Sequence, residues 1–279
     1  MTSLASGDAR PAAPGVGPLL RAWRKRRRVS QLELALRAGS SARHISFVET
    51  GRSRPSEAMV LRLAEHLEVP MRERNALLLA AGYAPRFART PLDDPALDGL
   101  RSGMERLLRG YEPYPALVVD AEYRVLAVNR GVGMLLEGVA EHLLAAPNAM
   151  RLALHPRGLA PRIRNLPEWR AHLLAQMERQ AALLRSRPLR ELYDEVAAYP
   201  APDPAPYGPG ETPAAGEPEV PAVPFALPLR IAHGGRALSF VSSVSTFNTP
   251  MDMTVAELAI EALLPADPAT AAHLRALED

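Results

Sequence analysis

Serine start signals and glycine stop signals cut residues 18–82 into stretches too short to fold by themselves. A first helix is expected from Pro18, with Leu20 and Trp23 turned inward and Arg21, Arg24, Lys25, Arg26, Arg27 and Arg28 on its other sides. Ser30 opens a second helix, with Glu33 three residues on as a capping-box partner, and Gly39 stops it. A third begins after Ser40 or Ser41 and runs to Thr50 before Gly51. Ser56 caps a fourth, in which Met59, Leu63, Ala64 and Leu67 keep helical spacing. A fifth covers residues 71–81 and ends at Gly82. Isolated helices below ~12 residues are marginal in water, so these must pool their apolar faces in one all-α bundle. Leu34, Ala35, Ala38, Ile45 and Val48 are the inward residues of its second and third helices.

Charge separates this bundle from the rest of the chain. Residues 1–54 hold eleven basic side chains against Asp8, Glu33 and Glu49, a net of +8, whereas the remainder nets −6. A basic end on an acidic body points to a polyanionic partner for that end alone.

The segments SQLELALRAG (residues 30–39) and SARHISFVETGRSRPS (residues 41–56), with the leucine-patterned helix after them, resemble the Xre or lambda-repressor-like helix-turn-helix family. The resemblance implies a sequence-specific DNA-binding domain whose third helix enters the major groove of double-stranded DNA. The base-facing residues would then be Ala42, Arg43, Ser46 and Phe47, with His44 alongside and Ser41 as a further DNA-binding residue. Arg43 is the best base reader, because its planar fork matches guanine O6 and N7, while Ala42 and Phe47 suit thymine methyl groups. Gln31 takes the family's phosphate-touching position, and Arg52 and Arg54 lie on the following turn, where backbone contact is expected.

From Tyr114 the pattern changes to strands. Residues 115–120 and 124–129 read as a strand pair joined by a turn, followed by helical material to about Ala198. The best helix there covers residues 167–184, with Leu173, Met177, Ala181 and Leu184 on one face. Nine prolines between Pro200 and Pro224 forbid regular structure, so residues 200–222 are expected to form an exposed loop. Residues 225–232 and 236–246 then form a hairpin about Gly234-Gly235. A last strand is placed at residues 258–264, although Thr254 and Glu257 mimic a helix start, and a short helix closes the chain.

Two strands, a helical block and three strands is the order of a PAS-like α+β domain, a five-stranded antiparallel sheet with helices. EPYPALVVD (112–120), VLAVNR (125–130), NAMRLALHP (148–156), STFNTPMDMTVAELAIEALLPAD (245–267) and RERNALLLAAGYAP (72–85) resemble the MmyB-like regulators. These join an Xre-type head to a PAS-like ligand-binding domain. The expected organisation is a disordered leader (1–17), a helix-turn-helix domain (18–82), a linker with a connecting helix (83–110) and the PAS-like domain (111–279).

Sheets of this kind leave a cavity under their helices, and helices rich in Leu, Ala and Met imply an apolar ligand. The resemblance points to a fatty-acyl-like effector, with Arg151, His155 and Asn165 as candidate anchors for its head group. An alternative gives the C-terminal domain a protein partner, as in an antitoxin. A single head per chain points to a homodimer on DNA. No phosphate-binding glycine loop, HExxH pair or Gly-x-Ser-x-Gly elbow occurs, so no enzyme is expected, and no required cofactor or metal. The absence of cysteine, of a signal-peptide pattern and of a long apolar run fits the cytoplasm, away from membranes.

Overall fold

A computed structural model of the chain describes residues 15–184, 186–200, 226–247 and 252–277. The expected proline-rich loop and most of the expected leader lie outside the described residues. The chain divides into two compact units: the first reaches Arg89 and also takes in residues 252 and 253, and the second holds the other described residues from Thr90 onward.

The first unit is the five-helix bundle: α1 (Val16–Arg26), α2 (Gln31–Arg37), α3 (Ala42–Glu49), α4 (Glu57–His66) and α5 (Met71–Ala80). The three serines do what their positions require. Ser30 Oγ accepts from the Glu33 N–H at 3.0 Å, Ser41 Oγ from His44 at 3.1 Å and Ser56 Oγ from Met59 at 3.3 Å. The reciprocal half of the Ser30 capping box is not formed, because the Glu33 carboxylate pairs with Arg37 one turn along. Gly39 adopts φ 59° at the turn between α2 and α3, the left-handed backbone that glycine takes without strain. Leu20, Trp23, Leu34, Ile45, Val48, Leu63 and Leu77 meet in the core.

The bundle starts two residues earlier than Pro18, because Val16 and Gly17 are helical and buried. The reason is a close approach between helices. A Cβ on Gly17 would lie 2.4 Å from the Val48 carbonyl oxygen and 2.8 Å from that of Glu49, both backbone atoms of α3. Only glycine lets α1 lie this near the end of α3.

In the second unit the sheet is antiparallel throughout, with β1 (Ala116–Val119), β2 (Val125–Val128), β3 (Leu229–His233), β4 (Arg236–Thr246) and β5 (Ala259–Pro265) in the order β2-β1-β5-β4-β3. This is the α+β, five-stranded arrangement that the sequence implied. Strand alternation sends successive side chains to opposite faces. Ala116 and Val118 of β1, with Ile260 and Ala262 of β5, pack under Met104 and Leu108 of α6 (Asp98–Gly110). That helix is therefore part of the domain, covering one sheet face, and not a free connector between residues 83 and 110. Buried Asn129 fastens its end: the side-chain amide donates to the carbonyls of Leu108 and Tyr114 and accepts from the Ala116 N–H.

The opposite face is roofed by α7 (Gly133–Leu136), α8 (Glu141–Ala145), α9 (Ala149–Leu154), α10 (Leu166–Leu184) and α11 (Arg187–Ala197). The helix-start signal at Thr254 and Glu257 is genuine but brief, since one turn, α12 (Met253–Ala256), precedes the expected strand β5. The domain closes with α13 (Pro268–Ala276).

Gly17→Ala is expected to destabilise the bundle by about 1–3 kcal/mol, the usual cost of overpacking against atoms that cannot yield. Hydrogen exchange of the full chain should show lost protection in α1 and α3 peptides, with β4 and β5 peptides unchanged.

Candidate DNA interface and ligand cavity

Helix α3 is held by its buried side and offers the other. Ile45, Val48 and Glu49 face inward, whereas Ser41 and Arg43 are exposed and His44, Ser46 and Phe47 half-buried. Ala42 leans against the core cluster. The Arg43 guanidinium lies 5.3 Å from the centre of the Phe47 ring, so two of the expected base-facing residues form one stacked unit. Among the described residues Arg43 has no carboxylate partner, which leaves its donor fork open. Arg52 is exposed on the next turn, its backbone N–H donating to Phe47 O at 2.8 Å.

Two of the expected phosphate contacts have other work. Arg54 donates to the carbonyls of Ala81 at 3.1 Å and Gly82 at 3.3 Å, closing the end of α5, and lies over the Tyr83 ring. Gln31 donates to Glu49 Oε2 at 2.8 Å, keeping its second N–H and its oxygen.

Glu49 is the residue that sequence reasoning passed over. Its carboxylate is buried and takes a bidentate pair from Arg24, Nε to Oε1 at 2.6 Å and Nη2 to Oε2 at 2.9 Å. Arg24 also donates to the Val29 carbonyl at 2.9 Å. One ion pair and one amide thus join α1, α2 and α3. Burial by itself would push the Glu49 carboxyl up, but the hydrogen bonds from Arg24 and Gln31 outweigh it and hold the group below the ordinary carboxylate value. A lone buried acid in a segment of net charge +8 was the available signal.

In the second unit a cavity of about 90 Å³ lies between the sheet and its helical roof. Leu136, Met150, Trp169 and Leu173 line it from the helices, and Leu117, Leu229, Glu261 and Leu263 from the strands. None of the three expected head-group anchors is among its walls. Arg151 pairs with Glu195 through two bonds of 2.8 and 2.7 Å, joining α9 to α11. The His155 Nδ1 accepts from the Arg157 N–H at 3.0 Å, and its ring sits edge-on to Tyr199. The Asn165 amide donates to Pro228 O and accepts from the Arg230 N–H, tying the start of α10 to β3.

The charged group that does line the cavity is Glu261, at the centre of the middle strand. The residue is half-buried and borders the cavity. Burial pushes this carboxyl up, and the hydrogen bond from the Ser242 hydroxyl, 2.9 Å from Oε1, offsets only part of that. An acid flanked by apolar residues inside a strand, AIEALL, was the signal for it.

A serine-capped helix, a tight glycine turn and a second helix with an open arginine at its start define a helix-turn-helix DNA-binding protein. Residues 20–74 match the helix-turn-helix family, and residues 100–277 match the MmyB-like transcription regulator ligand binding domain. The chain belongs to the MmyB-like transcription regulators. No curated protein matches it. It is a DNA-binding transcription regulator with a C-terminal ligand-binding domain. No helix among the described residues is long and apolar enough to cross a membrane.

Glu49→Gln keeps the shape but leaves the Arg24 guanidinium without its counter-charge. It should cost the N-terminal domain about 3 kcal/mol, typical of breaking one side of a buried pair. Because the folded carboxyl titrates below its ordinary value of 4.5, the pair contributes fully above that pH. Its contribution is lost as pH falls through the folded value. Calorimetry of the full chain should show this acid loss in the first unit's transition, and a flatter pH dependence in Glu49→Gln.

Proposed function

We propose that this regulator reads a two-fold operator with paired heads and answers to a small apolar, fatty-acyl-like molecule held in its C-terminal domain. One observation carries the reading: an apolar cavity roofed by Leu136, Met150 and Trp169 in a chain whose other domain presents Arg43 at the start of α3. Apolar cavities of this kind gain free energy by taking apolar guests, since water inside them lacks partners. Occupancy of the cavity biases the affinity of the heads for DNA.

In this reading Arg43 reads a base edge, with Phe47 supporting it, and Ala42, His44 and Ser46 border the same groove. Arg52 contacts phosphate, and Gln31 uses its free N–H in the same way. Arg54 acts by closing α5. Paired heads require half-sites about one helical turn apart, ~34 Å. One chain per operator in sedimentation would refute the paired arrangement. Native mass spectrometry of the purified chain tests the ligand. A co-purified apolar molecule supports the reading, and a co-purified protein chain in its place overturns it.

Fluorescence anisotropy with operator and random duplexes separates the roles. Arg43→Ala should lose ~1–3 kcal/mol on the operator only. Arg52→Ala should weaken both duplexes alike and lower the salt slope by about one unit. Arg54→Ala should leave the salt slope intact while lowering the stability of the bundle.

A further inference from the structure

The register of the sheet places one acid in an apolar row. Val244 of β4 pairs with Glu261 of β5, Glu261 pairs with Leu117 of β1, and Leu117 pairs with Val128 of β2. Paired residues of an antiparallel sheet point to the same face, so these four side chains form a single cross-strand line, of which Leu117 and Glu261 border the cavity while Val128 and Val244 are exposed. Leu263, two residues along β5, extends the same surface. The other members of this cross-strand line are aliphatic. Ser242 stands two residues from Val244, on the same face, and its hydroxyl donates to Glu261 Oε1 at 2.9 Å. No cationic side chain is among the residues lining the cavity, and Oε2 has no hydrogen-bond donor among the described residues.

A carboxyl in this position can serve a guest in two ways. Ionised, it offers only acceptor lone pairs; protonated, it offers one donor and further acceptor capacity. In both states it can accept from an O–H or N–H group. A free carboxylate meets repulsion from the ionised form, strengthened by the apolar walls, and finds no cation there to neutralise it.

We propose that Glu261 sets the polarity of the ligand's buried end, selecting an apolar chain that terminates in a hydrogen-bond donor, such as an alcohol or an amine, over one that terminates in a free carboxylate. This rests on the reading that the cavity is the effector site and narrows the class of effector. Burial pushes the Glu261 carboxyl up, which strengthens the case for a neutral hydroxyl partner. Glu261 is a specificity-determining group, and the aliphatic walls supply affinity without discriminating the ends.

The test is isothermal titration of the full chain at pH 8 with three probes of equal chain length: 1-octanol, octylamine and octanoate. The Trp169 emission, from a wall of the cavity, reports in parallel where they bind. Octanol and octylamine should bind at least ten-fold more tightly than octanoate. In Glu261→Gln, which preserves volume and supplies an N–H donor, octanoate should gain affinity until the preference falls within about three-fold. Equal binding of all three probes to the unaltered chain, with an emission change, would overturn the role of Glu261 and leave the cavity as the effector site. An unchanged ratio in Glu261→Gln would overturn it too. Binding of none of the probes would overturn the effector site itself.

Discussion

The helix-turn-helix domain depends on one carboxylate taken out of water. Glu49 lies at the end of α3, and its desolvation is tolerable because Arg24 meets it with two bonds and Gln31 with a third. Those three residues come from three different helices, so satisfying one charge fixes three orientations together. A buried ion pair of this sort adds little net stability compared with a well-packed apolar substitute. Its contribution is geometrical, since a small core of leucine and valine specifies packing less sharply than a charge that must be matched. With Arg24 committed inward, Arg43 remains as the open guanidinium at the start of α3.

The C-terminal domain solves a different problem. Its sheet has to be covered twice, and strand alternation divides the work between α6 on one face and the block from α7 to α11 on the other. Under α6 the packing uses small residues such as Ala116 and Ala262, so helix and sheet lie close. On the other face, leucine, methionine and tryptophan side chains stand off from the sheet and leave the cavity. An acid inside it would ordinarily mark an error in a core. Here the Ser242 hydroxyl satisfies part of Glu261, which stands half-buried at the border of the cavity.

Much of the fold was legible because its signals are local. Serine caps, glycine stops and the Gly234-Gly235 turn act over three or four residues, and the strand pattern of residues 115–129 repeats every two. These need no knowledge of distant neighbours. The sites were less legible. The exposed place of Arg43 was readable, because Ile45 and Val48 mark the inner side of its helix. Arg54 read as one more cation on a basic turn, yet its guanidinium closes a helix that ends 27 residues later in the chain. Arg151, His155 and Asn165 are the polar residues that an apolar domain makes conspicuous. Structure assigns them to Glu195, to the Arg157 backbone and to β3, because loops between helices also need polar ties.

From the sequence alone came the class of each half, the order of elements, the basic face of the first domain and the inward residues of α1, α2 and α3. All follow from period and from the charge or conformational freedom of single residues. Tertiary structure decided which polar groups meet: Arg24 with Glu49, Ser242 with Glu261, and α1 against α3 across Gly17. Such partners are 19 to 32 residues apart in the chain. They are chosen by the packing of whole elements, which no window of neighbouring residues contains.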